Sequence, residues 1–139
     1  MKRLLVDLNV VLDVLLDRRP HVTAASRLWE AIETGKVRGA LPAHAFTTIH
    51  YLATRSRGRA FARRTVDELL RVFDVARVDA MVIRKALSYE WPDFEDAVCA
   101  AAAVAAGCDV LVTRDPKGFP DPPLRVIDPA TALAGLRLV

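Results

Sequence analysis

The sequence predicts a single α/β domain built on a mostly parallel sheet. Three observations lead there. Short apolar runs alternate with helix-like stretches along the whole chain, as in successive βαβ units. Two of those runs, Leu4-Leu5-Val6 and Val110-Leu111-Val112, are apolar without a break, as in strands buried on both faces. The length, 139 residues, suits one hydrophobic core, and no repeat, low-complexity tract or linker divides it. Residues 1–139 are therefore read as one domain.

The elements follow in order. After strand 4–6, a short helix is expected from Asn9 to about Leu16, stopped by Asp17-Arg18-Arg19-Pro20. A second runs from about Thr23 to Thr34, with Ala25, Leu28, Trp29 and Ile32 on one face and Gly35 as its stop. Residues 37–41 form a weak strand ending at Pro42. A helix from Ala43 to about Ala53 turns Phe46, Ile49 and Leu52 inward, although Thr47, Thr48 and His50 are poor helix formers. Another helix spans about Arg59 to Phe73, with Ala62, Val66, Leu69, Leu70 and Phe73 as its stripe. Strand 75–78 precedes a helix capped by Asp79 and running to about Leu87. The Ala-rich stretch from Asp93 to about Ala106 is a helix ended by Gly107, and strand 110–112 follows. Residues 116–123 hold four prolines and form a loop. Strand 124–127 leads into Asp128-Pro129, a cap followed by Pro at the first position of a terminal helix.

Composition narrows the function classes. A 53% apolar and 27% charged chain has the balance of a globular protein, and no apolar run is long enough to span a membrane. The first strand begins at once, so no signal peptide is expected and the default compartment is the cytosol. A net charge of +3 tolerates a polyanionic partner without demanding one. Cys99 and Cys108 lack ligand spacing and read as small buried hydrophobes. His21, His44 and His50 offer no zinc spacing either. No nucleophile elbow, Walker loop or dinucleotide fingerprint is present.

The carboxylates remain. Asp7 and Asp115 each follow a strongly apolar strand, and ligands of open α/β sheets bind beyond the carboxyl ends of strands. Each could instead tie down a turn. Asp93 and Asp96 can cap a helix, yet positions three apart share a face, so both can point into one site. The alanines at 100–103 would let that helix lie close to the sheet and bring Asp96 near the strand ends. Converging carboxylates repel and raise one another's pKa, which a hard divalent cation with oxygen ligands resolves. The arginines at 55, 57, 59, 63 and 64 can contact phosphates or simply solvate a helix start.

Asp7-Leu8-Asn9-Val10-Val11-Leu12-Asp13, Asp93-Phe94-Glu95-Asp96-Ala97 and Thr113-Arg114-Asp115 with Phe119 together resemble the PIN-domain nucleases, in order and over nearly the whole chain. The resemblance is greatest to VapC-type toxins of bacterial toxin–antitoxin pairs. It implies a three-layer α/β/α sandwich and a ribonuclease using Mg²⁺ or Mn²⁺. On this resemblance Asp7, Asp96 and Asp115 are catalytic and metal-binding, and Asn9, Asp93 and Thr113 support them. An RNA substrate, a cognate antitoxin and a homodimer are the implied partners, with no membrane. Two positions depart from the family. Thr48 stands where a glutamate is usual on the third helix, and Gly118 stands before Phe119 where an aspartate is common. Asp93 or Asp13 could make up the charge. The competing function is a catalytically weak PIN-like module that binds RNA or protein, which Thr48 favours. A phosphoacceptor signalling domain ranks last, because residues 41–58 contain no aspartate to end a middle strand.

Overall fold

The computed structural model describes residues 1–137. Its elements are β1 (Arg3–Val6), α1 (Leu8–Leu15), α2 (Val22–Glu33), β2 (Arg38–Pro42), α3 (Ala45–Arg57), α4 (Arg59–Val72), β3 (Asp74–Ala76), α5 (Ala80–Tyr89), α6 (Phe94–Ala105), β4 (Val110–Val112), β5 (Arg125–Ile127) and α7 (Pro129–Gly135). A single 3₁₀ turn, Pro116–Gly118, lies in the proline-rich loop. The five strands are parallel, in the order β3-β2-β1-β4-β5.

Alternation along each strand divides the core into two layers, because successive side chains point to opposite faces. Leu4, Val6, Leu41, Val110, Val112 and Ile127 pack with apolar residues of α1, α2, α3, α4 and α7. Leu5, Ala40, Ala76 and Leu111 pack on the other side with α5 and α6. The result is the three-layer α/β/α sandwich. Bulky side chains are absent from the buried face of α6. Ala97, Val98, Cys99 and Ala100 to Ala103 are all buried, so small side chains seat this helix against the sheet.

Most boundaries lie within a residue or two of expectation, with α3 the main difference. It continues a full turn past Ala53 and stops at Gly58, whose φ of +89° a residue with a Cβ adopts at a cost. Its weak formers are accommodated locally. The hydroxyls of Thr47 and Thr54 donate to the carbonyls of His44 and His50. Arg55 and Arg57 fall in its last turn, where cations suit the helix dipole.

Strand order reverses at β1: the chain goes outward through β2 and β3, then returns to place β4 on the other side. The crevice at that reversal, beyond the carboxyl ends of β1 and β4, is where such sheets bind ligands. Among the described residues no helix is long and apolar enough to cross a membrane.

Candidate active site

Val6 and Val112 are partners in the ladder between β1 and β4, so Asp7 and Thr113 leave the sheet side by side. Asp7 is buried, and its amide still donates to the carbonyl of Val112 at 2.9 Å. It is also the N-cap of α1: Oδ1 accepts from the Leu8 amide at 2.8 Å. Oδ2 accepts from the hydroxyl of buried Thr113 at 2.8 Å. The same hydroxyl oxygen receives the side-chain amide of Asn9 at 3.3 Å and the backbone amide of Asp115 at 3.4 Å. Asn9 in turn accepts from the Arg114 amide at 3.3 Å. Thr113 and Asn9 thus join the two strand ends and set the turn that carries Asp115.

The remaining acids come from α6. Asp93 caps it, accepting from the Asp96 amide at 3.1 Å. Aromatic packing brings the Asp115 turn alongside: Trp91 stacks on Tyr89 and meets buried Phe119 edge-on, with centroids 5.1 and 5.9 Å apart. A Cβ placed on Gly118 would lie 3.7 Å from Oδ2 of Asp115 and 3.8 Å from Oδ2 of Asp96, so both carboxylates border one small space.

The electrostatics register this crowding. Partial burial, then the charges of Asp93, Asp7, Glu95 and Asp115, push the Asp96 carboxyl up to about 7. Burial, then the charge of Glu95, raises Asp7 to about 6, although hydrogen bonds from Thr113, Leu8 and Cys99 oppose the shift. Asp7, Asp96 and Asp115 therefore meet at one edge, with Asn9, Asp93 and Thr113 around them.

The structure corrects the readings of Asp13, His44 and Cys99. Asp13 adds no charge to this pocket. It is buried and held by the guanidinium of Arg114 at 2.8 Å, with Arg18 at 3.8 Å. His44 and Cys99, which lack ligand spacing in the sequence, are brought to the acids by the fold. His44 Nε2 lies 2.8 Å from Oε2 of Glu95, and Cys99 Sγ lies 3.6 Å from that oxygen and 3.7 Å from Oδ1 of Asp7. Glu95 is a further member of the pocket to which sequence reasoning gives no role; its place beside Asp96 in the acidic motif and its spacing to Cys99, one turn on, are the available signals. The basic cluster is remote from His44. It gathers where α3 ends and α4 begins, and α3 alone is about 20 Å long.

These acids are oxygen donors suited to a hard divalent cation, and the raised pKa values of Asp7 and Asp96 are what a cation would relieve. Comparison with known proteins adds the lineage. VapC20 of Mycobacterium tuberculosis, a sarcin-ricin loop cleaving toxin, superposes with a TM-score of 0.62 at 19% identity, over 78% of this chain and 86% of that one. VapBC-1 from nontypeable Haemophilus influenzae gives 0.69 at 16%, over 92% and 98%. A toxin–antitoxin complex from Klebsiella pneumoniae gives 0.67 at 20%, over 90% and 96%. At these identities the likeness is one of fold. No curated protein matches the sequence. The PIN domain family model matches residues 3–117, from the start of β1 to the turn after Asp115, and the chain belongs to the PIN-domain family.

Proposed function

We propose that this PIN domain acts as one unit, a metal-dependent endoribonuclease, and that it is the toxin of a type II toxin–antitoxin pair. The observation that carries this reading is the convergence of Asp7, Asp96 and Asp115 at the sheet reversal, where Asp96 and Asp115 border one space and partial burial, then the charges of Asp93 and Asp7, raise Asp96 to about 7. Asp7, Asp96 and Asp115 would hold Mg²⁺ or Mn²⁺, which supplies Lewis acidity to a water and to the scissile phosphate when bound.

The chain's own residues do the positioning. Thr113 fixes the Asp7 carboxylate through Oδ2, and Leu8 fixes it through Oδ1, so its remaining lone pairs face the pocket in one orientation. Asn9 locks Thr113 and the Arg114 backbone, which sets the Asp115 turn. Asp93 orders the first turn of α6 and adds negative charge beside Asp96. Water is the nucleophile. Cys99 is the one thiol near the acids, and full burial and the carboxylates around it push its pKa well above the usual thiol value, so it stays neutral.

The RNA substrate is supported by the cleaving activity named for the mycobacterial relative, and the antitoxin by the complexes among the structural neighbours. Met81, Ile83 and Leu87 leave apolar surface on α5, which suits an antitoxin or a second copy of the chain. The second reading is a weakly catalytic module that binds RNA or protein. Thr48 and Gly118, at positions where the family commonly carries acids, favour it. The test is cleavage of a mixed RNA pool by pure protein with Mg²⁺ or Mn²⁺, beside EDTA and Asp96→Asn controls. Cleavage that needs metal and Asp96 is expected. Cleavage surviving EDTA, or undiminished in Asp96→Asn, overturns the mechanism, and silence with every metal favours the binding module.

A further inference from the structure

His44, Glu95 and Cys99 border the acidic pocket and take no part in the mechanism above. They arrive from two elements. His44 is the N-cap residue of α3, while Glu95 and Cys99 are one turn apart on α6. One oxygen of Glu95 lies 2.8 Å from His44 Nε2 and 3.6 Å from Cys99 Sγ, and the donor atoms of all three lie within 4.8 Å of one another. Oδ1 of Asp7 is 3.7 Å from the same sulfur. An ion bound tetrahedrally at about 2.0–2.3 Å holds its donors about 3.3–3.8 Å apart. The separation of the Cys99 sulfur from the Glu95 oxygen already matches, and the nitrogen–oxygen contact needs to open by only about half an ångström.

We infer that His44, Glu95 and Cys99 form a three-residue binding site for Zn²⁺ beside the acidic pocket, with a fourth position for water. The donor set selects the ion. Imidazole nitrogen and thiolate sulfur suit Zn²⁺, whereas Mg²⁺ prefers oxygen alone. Access is open on one side, since the His44 and Glu95 side chains are 30% and 44% exposed, while Cys99 and Asp7 close the inner end. Nδ1 of His44 is buried and has no hydrogen-bond partner among the described residues, so the ring is tethered through Nε2 alone and no competing bond holds it away from an ion. Binding releases the Cys99 proton to solvent and forms the Zn–S bond. The site does not rest on the nuclease reading.

Co²⁺ is the probe, because it accepts the same tetrahedral donors and reports a thiolate ligand by a near-ultraviolet charge-transfer band. The metal-free, reduced full chain is titrated with Co²⁺. The expected result is that band, saturating at one ion per chain, removed by Zn²⁺ and retained in excess Mg²⁺. Cys99→Ala should abolish it and Cys108→Ala should leave it. His44→Gln should weaken Co²⁺ by more than the roughly 10–100-fold typical of losing an outer partner. A wild-type chain without the band, or a band that survives Cys99→Ala, overturns the site. Should Cys99→Ala fail to fold by circular dichroism, His44→Gln and Glu95→Gln decide, and undiminished affinity in both overturns it. The band is read without RNA: a chain that cleaves nothing yet shows it keeps the zinc site, and one that cleaves RNA without it loses the site.

Discussion

The hydroxyl of Thr113 donates to Oδ2 of Asp7 at 2.8 Å, across the ends of adjacent strands β1 and β4. Both groups are buried, so neither has water as a substitute partner. Thr113→Val keeps the shape and removes the hydroxyl. The expected cost is about 1–3 kcal/mol of stability, together with a loss of cleavage greater than the stability change accounts for. Denaturant melts and RNA cleavage check this. An unchanged melt would mean that Asp7 is held by its cap bond alone.

Metal-free stability should fall as pH rises through the range where Asp7 and Asp96 titrate. Their folded carboxyls sit at about 6 and about 7, above the ordinary 3.8. Between those values the folded chain keeps protons that the unfolded chain has lost. The contribution is complete below pH about 4 and is lost as pH rises through 6 and 7. In EDTA, Asp7→Asn and Asp96→Asn should therefore melt at or above wild type at pH 8 and lose that advantage at pH 4. Asn retains the Oδ1 acceptor that caps α1, so Asp7→Asn should fold. Thermal melts at the two pH values decide; a large drop for Asp7→Asn at pH 8 would make that residue structural.

Gly118→Asp should strengthen the metal site. The new Cβ would make only ordinary contacts with the carboxylates of Asp96 and Asp115, and it would bring a carboxylate to the same space. Mn²⁺ affinity is expected to rise by roughly tenfold, while the metal-free protein becomes less stable through added repulsion. Calorimetric titration reads the first effect and melting in EDTA the second.

Thr48→Glu should add an acid one turn along α3 from His44. Thr48 lies four residues after His44 on α3 and so shares its face. An acid there should raise cleavage at low Mg²⁺ if the missing charge limits the site. Activity that stays flat across a Mg²⁺ titration would show that another feature limits turnover.

Arg114→Leu should destabilise the fold while sparing the acids. Arg114 bonds Oδ1 of buried Asp13 at 2.8 Å, and Arg18 is farther away at 3.8 Å. Loss of the nearer guanidinium leaves a buried carboxylate short of partners, at a cost of about 2 kcal/mol. Asp13→Asn in the same background should recover part of it. A double-mutant cycle with no coupling would contradict the pairing.

Much of the fold was legible in the chain because its causes are local. Leu4-Leu5-Val6 and Val110-Leu111-Val112 are buried strands wherever they pack. Asp79, Asp93 and Asp128 cap helices through bonds to amides three residues on. Asp7 and Asp115 end apolar strands, and the alanines of α6 are small, so one acidic edge could be anticipated from order and spacing. The family departures at Thr48 and Gly118 were readable too. Tertiary structure decided what depends on distant partners. His44 reaches Glu95 across 51 positions, Cys99 reaches Asp7 across 92, and Asp13 finds Arg114 across 101. No local period records such pairs: they arise only when strand order sets β4 beside β1 and the carboxyl end of β2 delivers α3 to the start of α6.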